Sequence, residues 1–305
     1  MTEPSAEPEG VDAYFAAASA CADPGRMAEL ADGATRDLAP HQLAEFYRRM
    51  LSLEQGEAFA LFQATARTKW LLRLRAPVFD NTPLASHARL FAAQGAPRSR
   101  KVLLVVFTGQ GGGLFVSAAR LLSRLPEGRF DVLWLRTDEG SDYPHGVPGF
   151  ADSFAAVCRR IAAMAPDYAG VASLGGSLGG YSALRAAVLV DMGAGVSLSG
   201  RFSNIRWWKD RPDAPSFDPL CGCVRPSPAA LTAYFSEDHE GDTRHAARLA
   251  ATHPAVRLVP LRTHQHNVLA HILAAGMFDD LFEGLYRTCA VGLPAFSTPD
   301  PAGGP

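Results

Sequence analysis

One serine in a glycine-rich segment is the residue of this sequence best placed to do chemistry. Ser177 lies in Ser173–Tyr181, with glycines two residues before and two residues after it. This Gly-x-Ser-x-Gly pattern is typical of a nucleophile on a sharp strand-to-helix turn, where a Cβ at either glycine would collide with the packed chain. An apolar run before it and a Leu/Ala-rich run after it, Tyr168–Leu174 and Tyr181–Val190, favour this interpretation. The alternative is a glycine-rich turn whose serine only caps the helix.

A nucleophilic serine needs a base, and a carboxylate must orient that base. With this motif the acid and then the histidine follow the serine, each in a loop at the carboxyl end of a later strand. The acid is expected after the predicted strand Leu231–Phe235. Asp238 is our preferred candidate, because just past the strand end a carboxylate can turn back over the sheet edge. Asp242 is the alternative candidate, although it precedes the next predicted helix and could simply be the N-cap of that helix. Glu237 is a weaker third candidate.

The base is expected in the loop after the last predicted strand, Val256–Leu261. His266 is our preferred base, because it stands just before the final helix and is followed by Asn267, which can cap that helix and fix the loop. His264 is the alternative, two residues closer to the strand, and His271 is more typical of helix packing. The other histidines have no expected place in the site.

An acyl-transfer site also needs backbone N–H groups that bind the developing oxyanion. The amide of Leu178, directly after the nucleophile, is expected to be one donor. The other is expected from Thr108–Gly113, a glycine-rich loop after the first recognisable parallel strand, and Gln110 is our candidate. A phosphate-binding loop would need a Lys-Ser or Lys-Thr ending or Gly-x-Gly-x-x-Gly spacing, and this loop has neither.

Alternating strands and helices are predicted to position these residues. The predicted strands are Lys101–Phe107, Phe130–Leu135, Tyr168–Leu174, Gly195–Leu198, Leu231–Phe235 and Val256–Leu261. The predicted helices are Phe115–Leu125, Ala151–Met164, Tyr181–Val190, Thr243–Ala251 and Asn267–Tyr286. Alternation of this kind predicts right-handed crossovers and an α/β fold with a doubly wound, mostly parallel sheet.

The first third of the chain has a different pattern. From Val11 to about Ala93 apolar residues recur at helical spacing, so residues 11–96 are expected to form a helical extension or cap, with a possible partner or dimer contact. Residues 97–290 are then the catalytic domain. The terminal segments 1–10 and 291–305 are rich in Pro and expected to be disordered.

Composition restricts the class of protein. The chain has 305 residues, 48% hydrophobic content and a formal net charge of −2, so a large core is possible and nucleic-acid binding is not expected. The sequence has no apolar run long enough to span a bilayer and no signal peptide pattern, which predicts a cytoplasmic protein without membrane insertion. Nearly all its basic residues are arginine, a bias that suggests a GC-rich bacterial genome.

Cysteine usage gives no metal or disulfide framework. The five cysteines are scattered, so they are expected to be reduced thiols. Cys221-Gly-Cys223 is the one close pair, and a single Cys-x-Cys step is weak support for a metal site. No metal or cofactor is expected.

A long irregular stretch, Gly200–Ser227, interrupts the alternation. Loops of this length in compact domains are often functional, and in a doubly wound sheet this one would lie over the site. Trp207 and Trp208 within it are candidate walls of a substrate pocket, or alternatively anchors of a surface loop.

Residues from about Lys101 to Tyr286 resemble the α/β-hydrolase superfamily. The resemblance rests on the Ser177 motif, the loop Thr108–Gly113 and the acid-then-histidine order. It implies an α/β-hydrolase fold and a serine nucleophile, and leaves the substrate open because the superfamily hosts esterases, thioesterases, peptidases, acyltransferases and non-catalytic members. Two departures stand out: Thr108-Gly109 replaces a common His-Gly pair, and helical sequence occupies the place of the early antiparallel strands.

A second resemblance is local. Phe107-Thr108-Gly109-Gln110-Gly111 and Gly175-Gly176-Ser177-Leu178-Gly179 are similar to motifs of malonyl-CoA acyltransferase domains, but the downstream pattern of that family is absent. The sequence therefore predicts a serine hydrolase, an esterase or thioesterase, acting on a small-molecule or carrier-linked acyl substrate. The alternatives are an acyltransferase and a hydrolase-fold protein that only binds partners.

Overall fold

The structure, a computed structural model, describes residues 8–53, 58, 60, 62, 77–137, 143, 145–201 and 229–290. The predictions made for residues 1–7 and 291–305, for Trp207 and Trp208, and for the Cys221-Gly-Cys223 pair lie outside these residues. Within them, no helix is long and apolar enough to cross a membrane.

An eight-stranded sheet is the centre of the molecule, with strand order β1-β2-β4-β3-β5-β6-β7-β8. The strands are β1 (Phe79–Ala85), β2 (Ala88–Ala93), β3 (Val102–Phe107), β4 (Phe130–Leu135), β5 (Gly170–Gly176), β6 (Ala194–Leu198), β7 (Ala230–Ser236) and β8 (Arg257–Leu261). β1 and β2 pair antiparallel, β2 pairs antiparallel with β4, and all later pairings are parallel. The prediction of a mostly parallel, doubly wound sheet is therefore confirmed.

Helices cover both faces of the sheet and form a separate group at the N-terminus. They are α1 (Gly10–Ser19), α2 (Pro24–Asp37), α3 (Pro40–Leu51), α4 (Ala118–Leu122), α5 (Phe154–Met164), α6 (Leu178–Val190), α7 (Glu240–Thr252), α8 (Val268–Ala274) and α9 (Phe278–Cys289). Every residue of β3 and β4 is buried, which explains why these strands are continuous apolar runs rather than alternating ones.

Two elements differ from the sequence prediction. The range predicted as helix up to Ala93 ends instead in the hairpin β1–β2, so the early antiparallel strands are present after all. The helical interpretation failed because β1 contains Pro83 among polar residues and β2 is rich in alanine, so neither looks like a typical strand. The final helix is in fact two helices, separated at Gly276, which has φ 71°.

The N-terminal helices have their own apolar core, centred on Tyr14, Met27 and Phe46. Ala119 of α4 belongs to the same cluster, which joins this group to the main domain. A buried ion pair adds a second connection, because Asp37 at the end of α2 accepts from Arg136, the residue after β4, at 3.1 Å. The helical segment thus packs directly onto the sheet domain.

Candidate active site

Ser177 sits on a strained turn between β5 and α6. Its backbone has φ 50° and ψ −115°, a left-handed conformation that a residue with a side chain rarely adopts. The two glycines of the motif permit this turn: a Cβ on Gly175 would lie 2.1 Å from the Gly179 carbonyl oxygen, and one on Gly179 would lie 2.1 Å from that of Phe107. Ser177 occupies the N-cap position of α6, but its side chain makes no capping hydrogen bond.

The Ser177 side chain instead contacts a histidine, which in turn contacts an aspartate. Its Oγ lies 3.0 Å from His266 Nε2, and His266 Nδ1 lies 2.6 Å from Asp242 Oδ1. A carboxylate can only accept, so Nδ1 carries the proton that it donates to Asp242, and Nε2 is left to accept from the Ser177 hydroxyl. This is the arrangement of a nucleophile, a base and a group that orients the base.

Local structure holds His266 in place. Asn267 caps α8 by accepting from the Ala270 amide at 3.0 Å, as the sequence predicted, so the loop before the helix is fixed. On the other side, Phe115 packs edge-on against the imidazole, with ring centroids 5.3 Å apart. The alternative base, His264, is exposed.

Asp242 is buried, at 3% exposure, in the first turn of α7. Burial by itself raises the pKa of its carboxyl group, but the hydrogen bonds from His266 and Ser199 outweigh this effect and hold the pKa below its ordinary value. Ser199 Oγ donates to Oδ2 at 2.5 Å. Both carboxylate oxygens therefore have partners, and the group stays ionised beside His266.

The preference for Asp238 over Asp242 is wrong in structural terms, because Asp238 is exposed and Asp242 contacts His266. The N-cap of α7 is His239, whose Nδ1 accepts from the Asp242 amide at 3.2 Å, so Asp242 does not have the capping role that counted against it. Its place in the first helical turn directs its side chain back over the sheet edge.

His239 is a residue of the site that the sequence analysis missed, as are Ser199 and Phe115. Its Nδ1 lies 3.0 Å from Asp242 Oδ1, the oxygen that His266 also contacts, and the two imidazole rings are 5.5 Å apart. One donor atom from each of His239, Asp242 and His266 lies within 4.8 Å of the others, a set that could hold a transition-metal ion. The sequence feature that could have identified His239 is its position in the loop after β7, between the candidate acids Asp238 and Asp242.

The glycine-rich loop packs directly against the nucleophile turn. A Cβ on Gly109 would lie 2.9 Å from the Gly176 carbonyl oxygen and 3.3 Å from Ser177 Cβ, so only glycine fits there. The Gly109 amide donates to Gly113 at 2.9 Å, which leaves the next residue, Gln110, as the candidate donor. As the first residue of α6, Leu178 has an amide that the helix does not use internally.

Thr108 replaces the histidine of the common His-Gly pair, and it forms hydrogen bonds with a buried tyrosine, Tyr143. The hydroxyl of Tyr143 lies 3.1 Å from Thr108 Oγ1, 3.0 Å from the Thr108 carbonyl oxygen and 2.8 Å from that of Leu135. Tyr143 is fully buried, and burial raises the pKa of its hydroxyl far above the ordinary value, so it remains a neutral hydrogen-bonding group. It ties the start of the loop to the end of β4.

A cleft of about 650 Å³ opens over Ser177. Its walls come from the glycine-rich loop, the segment after it, Trp134, Arg201 and His266. The N-terminal helix α2 contributes as well, through Asp32, Thr35 and Arg36. The helical segment that the sequence predicted as an extension therefore forms part of the rim of this cleft.

Comparison with known proteins supports the architecture. No family model and no curated protein matches the chain. Among solved structures, a 2,6-dihydroxy-pseudo-oxynicotine hydrolase has 12% identity and a TM-score of 0.51, covering 95% of this chain and 91% of its own. The enterobactin esterase of Shigella flexneri has 18% identity and a TM-score of 0.46, covering 70% of this chain and 60% of its own.

A third solved structure, an α/β serine hydrolase without a lid from Xanthomonas campestris, has 20% identity and a TM-score of 0.41, covering 73% of this chain and 96% of its own. At 12% identity, the likeness to the 2,6-dihydroxy-pseudo-oxynicotine hydrolase shows the fold alone. The similarity to malonyl-CoA acyltransferase motifs stays a local sequence resemblance. From the sheet order, the strand-turn-helix around Ser177 and the likeness to the 2,6-dihydroxy-pseudo-oxynicotine hydrolase, we conclude that the chain has the α/β-hydrolase fold.

Proposed function

We propose that this protein is a serine hydrolase that cleaves an ester or thioester through an acyl-enzyme on Ser177. The observation that carries the proposal is the unbroken hydrogen-bonded series from Ser177 Oγ to His266 Nε2 and from His266 Nδ1 to the buried carboxylate of Asp242. An α/β-hydrolase fold used only for binding has no need of this series, and the strained turn at Ser177 would bring it no benefit.

In the acylation step, Ser177 Oγ attacks the substrate carbonyl carbon while its proton passes to His266 Nε2. Asp242 stabilises the imidazolium that forms and stays ionised. Collapse of the tetrahedral intermediate breaks the bond to the leaving alcohol or thiol, which takes the proton from His266. Water then gives its proton to His266 and forms a bond to the acyl carbon. Collapse of this second tetrahedral intermediate breaks the bond to Ser177 Oγ, which takes the proton from His266 as the free acid leaves.

Two amides are proposed to bind the oxyanion during both steps, those of Leu178 and Gln110. Leu178 begins α6, so the positive end of the helix dipole adds to its hydrogen bond. Gln110 lies in the loop that packs on Ser177 and lines the cleft. Loss of one such donor typically lowers the rate about 100-fold to 1000-fold.

The test is labelling with a fluorophosphonate probe, with peptide mapping of the adduct. Wild-type protein is expected to carry one adduct, on Ser177, and Ser177→Ala none. His266→Ala should slow labelling by several orders of magnitude, whereas His264→Ala, which alters an exposed histidine in the same loop, should label at the wild-type rate. A folded wild-type protein that takes no label would contradict the proposal and favour a binding protein.

The acyl acceptor separates hydrolysis from acyl transfer, the alternative within the same site. A panel of acyl esters and acyl thioesters, each turned over with and without added alcohols or thiols, measures how the acyl group divides between water and these acceptors. Hydrolysis predicts free acid as the main product at every acceptor concentration. Predominant transfer to an added acceptor would identify the protein as an acyltransferase.

A further inference from the structure

The turn that contains Gln110 is made almost entirely of glycine. Gly111 and Gly112 both have positive φ, 82° and 73°. Two backbone hydrogen bonds close the turn, Gly109 N to Gly113 O at 2.9 Å and Gly112 N to Gly109 O at 3.2 Å. Since glycine loses more conformational freedom on folding than any other residue, a turn of this composition needs outside contacts to keep one geometry.

The turn is held from two sides. On one side Gly109 packs on the nucleophile turn. On the other side lies Arg136, the residue that follows β4: a Cβ built on Gly112 would be 3.3 Å from Arg136 Cδ and 3.8 Å from its Cγ. The methylene stem of the arginine thus lies beside Gly112, on the side where a side chain would project, and it bounds the space open to the turn there.

The guanidinium of Arg136 is anchored at both of its terminal nitrogens. Nη1 donates to Asp37 Oδ1 at 3.1 Å, and Nη2 donates to the Ser86 carbonyl oxygen at 2.6 Å. The residue is 7% exposed. A planar group fixed at two points holds its stem in one position, which a single ammonium group could not do in the same way.

Asp37 is itself fixed on α2. It is 2% exposed, and it accepts a hydrogen bond from the Tyr14 hydroxyl at 2.8 Å. Its carbonyl oxygen accepts from Asn81 of β1 at 2.8 Å. The anchor for Arg136 therefore comes from the N-terminal helices together with the first hairpin.

From these contacts we infer that Arg136 is a positioning residue for the proposed reaction: anchored by Asp37, it sets the geometry of the Gln110 turn and so the place of one oxyanion donor. The inference rests on the proposed function. It assigns the N-terminal helices a part in catalysis beyond lining the cleft, because α2 carries the carboxylate that anchors Arg136.

The experiment measures fluorophosphonate labelling of Arg136→Met and Arg136→Lys in the full-length chain, separating the maximal labelling rate from the probe affinity. Displacement of an oxyanion donor lowers the rate at the bond-forming step and leaves binding of the probe nearly unchanged. We expect the maximal rate of Arg136→Met to fall about tenfold to 100-fold. The maximal rate of Arg136→Lys should fall less, because its ammonium keeps the contact to Asp37 and loses only the hydrogen bond to the Ser86 carbonyl oxygen.

Arg129→Lys is the matched control. Arg129 stands at the other end of β4, where it pairs with Glu283 and lies over the Tyr286 ring, away from the cleft. A loss of stability without a change in maximal rate is expected there. Final labelling stoichiometry corrects every rate for the folded fraction, so a purely structural role of Arg136 would not change the corrected rate.

The outcomes separate this inference from the function on which it rests. Corrected maximal rates of both Arg136 variants within twofold of wild type would overturn the inference and leave the proposed function intact. Absence of labelling in wild-type protein would overturn both. A rise in the half-saturating probe concentration without a change in maximal rate would also overturn it, because Arg136 would then affect binding and not the oxyanion donor.

Discussion

Ser177 holds a conformation that its side chain disfavours. At φ 50° and ψ −115° a residue with a Cβ is strained by about 1–3 kcal/mol, whereas glycine is not. Ser177→Gly should therefore have a free energy of unfolding about 1 kcal/mol higher than Ser177→Ala, after allowance for the greater freedom of glycine in the unfolded chain. Urea denaturation of the two inactive variants measures the difference. If the alanine variant is the more stable, the turn is not strained.

Asp242 and Asp238 give a direct comparison between two candidate acids. Asp242→Asn should slow fluorophosphonate labelling about 10⁴-fold, because an amide in that place favours the wrong tautomer of His266. Asp238→Asn should label within twofold of wild type, since its side chain is exposed. Second-order labelling rates at neutral pH test both statements. The reverse order would restore the preference drawn from sequence.

Residue types and chain order were enough to select Ser177 and His266, which the structure brings into contact, because each lies between a strand and the helix that follows it. The carboxylate that contacts His266 was harder to select. Asp238 and Asp242 lie in one short segment, and their difference in burial depends on where α7 begins. The N-cap of α7 is His239 and not Asp242, so Asp242 lies inside the first turn of the helix. Imidazole is an uncommon N-cap, and sequence rules therefore do not predict this start of the helix.

Among the elements, α6 lies unusually close to the strands behind it. A Cβ on Gly179 would stand 2.1 Å from the Phe107 carbonyl oxygen, and neither backbone can give way easily. Gly179→Ala should therefore lower the free energy of unfolding by about 3 kcal/mol. Gly284→Ala in α9 is the control: with no atom within 4 Å of the new Cβ, it should raise that free energy by about 0.5–1 kcal/mol. Thermal or urea unfolding compares them.

The strands buried on both faces, β3 and β4, were predictable because a short continuous apolar run is typical of a strand covered by helices on both sides. The hairpin β1–β2 was not predictable, because it is partly exposed at the edge of the sheet and contains few residues with a high β propensity. Gly276 between α8 and α9 could have been recognised as a break, but the apolar spacing on either side suggested one continuous helix.

At the scale of the whole molecule, Asp37 joins the N-terminal helices to the sheet domain. Arg36, Arg89 and Arg136 surround this buried carboxylate. Asp37→Asn removes the negative charge that these three arginines share and should lower the free energy of unfolding by about 3–5 kcal/mol.

The control for Asp37→Asn is Asp12→Asn, which removes a carboxylate that is 94% exposed and paired with Arg49. Exposed pairs contribute no more than about 1 kcal/mol, so this variant should unfold close to wild type. Equal, small effects of the two substitutions would mean that the helical segment is only loosely attached. The sequence could not have predicted this attachment, because Asp37 lies far along the chain from Arg89 and Arg136 and nothing in the spacing pairs them.

The position of Asp37 has a consequence for how the protein can be divided. A shortened chain that began at the first strand would keep Ser177, His266 and Asp242, and would resemble a complete catalytic domain on paper. It would also lose one wall of the cleft and the buried carboxylate with which Arg89 and Arg136 pair. A fragment that keeps this wall and this carboxylate therefore includes α2, and the N-terminal helices are an integral part of the folded domain rather than a removable module.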